Sequence, residues 1–160
     1  MSLLLGSETN IKRSLDKYIY DTIYSIENLY IDFEGIKFND TDKSEWIQPR
    51  IIDIRSQFLR QSSATEFGEY TNILFQINIF VKKGWQTTSD RHIYIRDLIL
   101  KYFKFNKQVT IYDYDGTLAD IGHMTVRNII DDFPLEERQN LYQYVISWEI
   151  DLTRHYTKPV

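Results

Sequence analysis

Residues 70–81 read Tyr-Thr-Asn-Ile-Leu-Phe-Gln-Ile-Asn-Ile-Phe-Val, and they alternate. Ile73, Phe75, Ile77, Ile79 and Val81 fall on one side. Asn72, Gln76 and Asn78 fall on the other, with Leu74 and Phe80 as apolar exceptions. Successive side chains of a β-strand point to opposite faces, so this period predicts one strand with a buried face and a mixed face. Lys82-Lys83-Gly84 ends it. Thr88 and Ser89 then offer a helix N-cap, Asp90 suits the first turn, and the spacing predicts a helix to about Phe103. The unit is a long strand, a short loop and a helix, with no catalytic residue at the place expected for one.

Upstream, Ile11, Leu15, Tyr18, Ile19, Thr22, Ile23 and Ile26 recur at spacings of three and four, which predicts an amphipathic helix from about Glu8 to Asn28. Leu29, Ile31 and Phe33 alternate with Tyr30, Asp32 and Glu34, so a strand is expected to about Phe38. Asn39–Glu45 reads as a polar turn. Pro49 lacks an N–H and suits a strand start or an edge. A strand follows from Arg50 to Arg60, with Ile52, Ile54 and Phe58 on one face and Arg55 and Gln57 on the other. Gln61–Gly68 reads as a loop.

Downstream, Val109–Tyr114 is a short strand ended by Asp115-Gly116. Ala119–Ile130 is a further strand interrupted at Gly122, and Asp131–Gln139, with Pro134, is a loop. Tyr142, Tyr144, Ile146, Trp148, Ile150 and Leu152 then alternate with Gln143, Ser147, Glu149 and Asp151, a second long strand. Residues 1–7 and 155–160 read as loose ends of a single domain. The strands come in sequential groups without βαβ alternation. The fold class is therefore α+β: a mainly antiparallel sheet of about six strands, with two helices packed on one face.

Composition narrows the function. A chain of 160 residues with 42% apolar and 26% charged residues suits one soluble domain with a real core. Nineteen basic against 23 acidic residues give a net charge of −4, hence no overall basic field for nucleic acid. There is no cysteine, which removes disulfide and thiolate chemistry. The apolar run near Met1 is too short for a signal peptide or a membrane span. Twelve tyrosines and nine phenylalanines suit the surfaces of a sheet, and protein interfaces as well.

One motif needs an answer. Asp113-Tyr114-Asp115-Gly116-Thr117-Leu118 resembles the nucleophile motif of the haloacid-dehalogenase phosphatases. The resemblance implies Asp113 as nucleophile and Asp115 as acid and base, with magnesium between them. That family opens its catalytic domain with this motif on a parallel strand. Here 45 residues follow Asp115, too few for the remaining strands, the serine or threonine, the lysine and the second acidic pair. Asp131 and Asp132 come too soon to be that pair. The preceding Val109–Tyr112 also alternates, whereas buried parallel strands are continuously apolar. Asp-Gly between two strands predicts a hairpin instead.

His92, His123 and His155 have no partner at metal-ligand spacing, and His92 reads as a surface residue of the helix first turn. No phosphate-binding glycine loop or nucleophile elbow is present. No catalytic residue, metal or cofactor is expected. The candidate interface residues are Arg50, Arg55 and Arg60, sharing an exposed edge near Trp46, and Lys82, Lys83 and Trp85 at the strand-to-helix loop. Arginine and tryptophan are enriched where proteins meet, although long stems also simply cover aromatic surface.

The order helix, strand, strand, long strand, helix, then three strands resembles the tail terminator proteins of long-tailed bacteriophages over Glu8 to Leu152. Its carriers are the Ile11–Ile26 helix, the Glu69–Gly84 strand with the Ile93–Phe103 helix, and the closing Leu141–Ile150 strand. The Asn39–Arg50 connection departs from that pattern. The resemblance implies a structural virion protein and no catalysis. It implies a six-fold ring at the head-proximal end of the tail, assembled in the host cytoplasm, that stops tube polymerisation and receives the head. Its partners would be copies of itself, the tail tube protein and a head-completion or neck protein. Genomic DNA would slide through an acidic lumen without specific binding. A neck connector, the phosphatase using Asp113 and Asp115, and a small-ligand or protein-binding module remain as alternatives.

Overall fold

The computed structural model describes residues 8–61, 66–84, 89–114, 116–135 and 140–157. An α-helix, α1 (Glu8–Ile19), runs into a π-helical turn (Tyr20–Tyr24). The strands β1 (Tyr30–Ile31), β2 (Glu45–Gln61) and β3 (Glu66–Lys82) follow. Helix α2 (Arg91–Leu100) precedes β4 (Gln108–Tyr112), β5 (Asp120–Pro134) and β6 (Leu141–Thr157). The six strands form one curled sheet in the order β1-β2-β3-β6-β5-β4. Every neighbouring pair is antiparallel except β1–β2. Among the described residues the α+β class, the strand count and the two helices are therefore as the sequence predicts.

The alternation that opens the sequence reading builds the core. Ile73, Phe75, Ile77, Ile79 and Val81 are all at most 1% exposed. They share one cluster with Ile11, Leu15, Ile19 and Ile23 from the first helix, Ile95 and Ile99 from α2, and Ile146, Trp148 and Ile150 from β6. At its centre Phe103 stacks on Trp148 at 4.8 Å and on Phe75 at 5.7 Å. Burying an aromatic side chain of this size contributes roughly 4–6 kcal/mol at about 25 cal/mol per Å², before entropy is subtracted.

Several boundaries move for identifiable reasons. The first helix is regular only to Ile19. The wider π turn keeps Ile23 on the buried face but leaves Ile26 60% exposed, against expectation. β1 has two residues rather than the ten of Leu29–Phe38, and it pairs parallel with β2. Parallel neighbours need a crossover of about a dozen residues or more, which 32–44 supplies. α2 ends at Leu100, and a tighter turn at Lys101 and Tyr102 swings Phe103 inward. Its N-cap is Asp90, whose carbonyl accepts from the Ile93 and Tyr94 N–H groups. Thr88 lies outside the described residues.

The strands outrun the sequence reading. β2 starts at Glu45, β3 at Glu66 inside the expected loop, and β5 continues through the expected Asp131–Gln139 loop to Pro134. β6 runs to Thr157, so 155–157 is strand rather than loose tail. Residues 1–7 and 158–160 lie outside the described residues. Pairing extends these strands where local sequence does not: Gln61 pairs with Phe67, and Glu66 with Thr157. In β2 the register slips between Ile51 and Asp53, making Ile52 an extra residue. Ile54 therefore faces the core cluster while Ile52, 51% exposed, does not share its face. The side chain of Phe58 lies outside the described residues. Gly122 does not break β5; with φ +152° it sits beside a similar slip.

Two buried polar residues close the β4 edge. The Tyr112 N–H donates to Ser14 Oγ at 3.0 Å, and the Tyr114 N–H donates to Asn10 Oδ1 at 3.1 Å. Asn10 and Ser14 are at most 1% exposed. They stand where a further strand would, satisfying edge donors that burial would otherwise strand.

Candidate interaction surface

Of the seven residues singled out from sequence, those whose side chains are described do not form one patch. Trp46, at the start of β2, is 6% exposed, stacked on Phe80 at 5.3 Å and set against Phe38 at 5.9 Å. Lys82 lies over its ring at 5.7 Å, donating to the carbonyls of Asp40 and Thr41. Lys83 lies over Tyr142 at 5.0 Å, and its N–H donates to the Asn140 carbonyl. Trp46, Lys82 and Lys83 share a shallow depression with Asp40, Asn140 and Leu141. Trp85 lies outside the described residues.

The arginines go elsewhere. Arg50 points to the face opposite the core cluster, where it donates to the carbonyls of Asp32 and Pro49 at 2.8 and 2.7 Å. Arg55 is 83% exposed and pairs with Asp53 at 2.6 Å. At about 3.3 Å per residue it lies some 25–30 Å along β2 from Trp46. Arg60 pairs through its backbone with Gly68; its side chain lies outside the described residues.

Sequence reasoning missed the polar ladder on that second face. Gln76 donates to Asn78, Asn78 to Gln48, and Gln48 to Asp32, at 3.2, 3.3 and 3.0 Å. Ser147 donates to Asp131 at 2.6 Å, while Tyr70 and Arg127 both donate to Asp151. The polar half of the alternation carried the signal, but the partners come from other strands. Leu74 with Asp53, Arg55, Asn72, Glu149 and Ile130 lines a depression on this face.

The Asp113–Leu118 motif is a hairpin connection from β4 to β5. The Asp113 N–H donates to the Ala119 carbonyl, and its own carbonyl accepts from Gly116 and Leu118. Asp113 is buried, and Asp115 lies outside the described residues. His92 is also buried, correcting its surface assignment, and stacks on Tyr142 at 4.9 Å. Among the described residues no group of three acidic or histidine side chains is placed to hold a metal. No helix among them is long and apolar enough to cross a membrane.

No protein-family model and no curated protein matches the chain. One solved structure, whose name states no function, superimposes with a TM-score of 0.60 at 15% identity. The match covers 94% of this chain and 98% of the other. At that identity the likeness speaks for the fold alone.

Proposed function

We propose that this chain is a structural assembly protein, a ring subunit that caps the head-proximal end of a phage tail tube. It stops tube growth there and offers the surface to which the head attaches. The observation that carries this reading is the length of the strands. β2, β3 and β6 have 17 residues each, about 55 Å, where strands usually have three to ten. The helices have 12 and 10 residues, about 15–18 Å, and cover only a part of that length. In this reading both helices cover one face, and the remaining sheet meets other subunits. The element order along Glu8–Leu152 supports the same reading.

The partners are then copies of this chain, the tube protein and a neck protein, with DNA passing through the ring. The test is microscopy of tails made without the protein. Overlong tubes support termination. Tubes of normal length that fail to join heads would instead assign the chain to the neck.

A further inference from the structure

The fold treats the edges of the sheet differently. The β4 edge is closed by Asn10 and Ser14, and the start of β2 is closed by β1. Past Ile47, among the described residues, no backbone group pairs with β2 on the β1 side. On its β4 side β5 pairs as far as Val126, which exchanges hydrogen bonds with Asn106 and Lys107; among the described residues no backbone group pairs with 127–134 there. A protein that buries two polar side chains to close one edge leaves these two longer segments, among the described residues, as templates for pairing.

The two open edges complement each other. Residues 50–61 of β2 carry Arg50, Arg55 and Arg60 against Asp53, a net of +2. Residues 127–134 of β5 carry Arg127 against Asp131 and Asp132, a net of −1. Each edge carries two register slips, and one of the two expels an isoleucine: Ile52 between Ile51 and Asp53, and Ile130 between Ile129 and Asp131. These two are 51% and 52% exposed. Each open segment is also bounded by a proline, Pro49 or Pro134, which cannot donate to a ladder. The bulges interrupt the flat edge that would accept any strand, so a partner must bring a matching interruption.

We propose that the β2 edge of one copy of this chain pairs with the β5 edge of the next. The contact is head-to-tail, with Ile52 and Ile130 buried in it. This deepens the ring reading above and rests on it, naming the surface through which the ring closes. β2 and β5 run in opposite directions within the sheet, so copies related by an axis along the strands pair antiparallel. Repetition of one unlike-to-unlike contact is what a closed ring requires.

The absence of cysteine makes the test clean. Ile52→Cys and Ile130→Cys chains, carrying different tags, are treated with a short bismaleimide, in solution at high concentration and on tails bearing the protein. A mixture of the two is expected to give an adduct containing one of each, while each variant alone stays uncross-linked to itself. Adding Ile130→Lys to the full chain is expected to weaken association by about tenfold or more, as for a charge placed in a buried anchor position. Adducts of either cysteine variant with itself would show a like-to-like contact and overturn the proposal. No adduct in any combination would overturn it too. Overlong tubes in the absence of the chain, together with no mixed adduct, would leave the ring standing on other surfaces.

Discussion

Asp132 shows what one residue does for the tie between helix and sheet. Its carboxylate accepts two bonds from the Arg96 guanidinium of α2 and one from the Tyr144 hydroxyl at 2.6 Å. The guanidinium holds this carboxyl below its ordinary value of 3.8, with burial opposing. A carboxyl depressed by folding stabilises the native state above its unfolded pKa, and that contribution is lost as pH falls through the lower folded value. Asp132→Asn is therefore expected to cost about 1 kcal/mol at pH 7, reduced by solvent screening, and to cost progressively less as the pH falls below the ordinary carboxyl value of 3.8. Urea titrations at neutral pH and at a pH below that value check this; an equal difference at both would contradict it. None of this was legible at the residue, because Asp131-Asp132 reads locally as the start of a loop. His92 failed for the same reason: its partner Tyr142 lies 50 positions away.

At the scale of elements, periodicity located every strand and helix but not their ends. The buried face of β3 was legible residue by residue, because one face meets the core along its whole central length. The ends were not, because partners such as Phe67 and Thr157, rather than local propensity, carry strands onward. The apolar stripe of α1 likewise hid Asn10 and Ser14, one position before Ile11 and Leu15. They look like solvated helix residues but terminate the sheet. Asn10→Ala or Ser14→Ala is expected to cost about 1–3 kcal/mol, the range for stranding a buried donor. Amide exchange at Tyr114 or Tyr112 respectively is expected to accelerate while exchange in β6 changes only with global stability. Unchanged protection at both amides would mean that the edge is satisfied without the helix.

For the whole molecule, the strand count and the predominance of antiparallel pairing were readable, while the order of the strands was not. β3 lies beside β6, whose pairing residues are separated from it by α2, β4 and β5. The parallel β1–β2 pair hides in a connection that looks like a plain turn. These choices depend on which distant faces fit, and that is a property of the assembled sheet. The same remoteness sets the folding rate. The helix-to-edge bonds join residues 98 and 104 positions apart, and the central β3–β6 ladder joins residues from 59 (Lys82 to Leu141) to 91 (Glu66 to Thr157) positions apart. Loop closure must precede any gain from such contacts, so folding on the order of milliseconds to seconds is expected rather than the microseconds of helical bundles. Stopped-flow refolding followed by tryptophan fluorescence reads this directly, since Trp148 is fully buried at the centre of the core. A sub-millisecond major phase carrying the full change of Trp148 would mean that the core forms before β3 and β6 meet. The long ladder would then be a late addition to a locally folded unit.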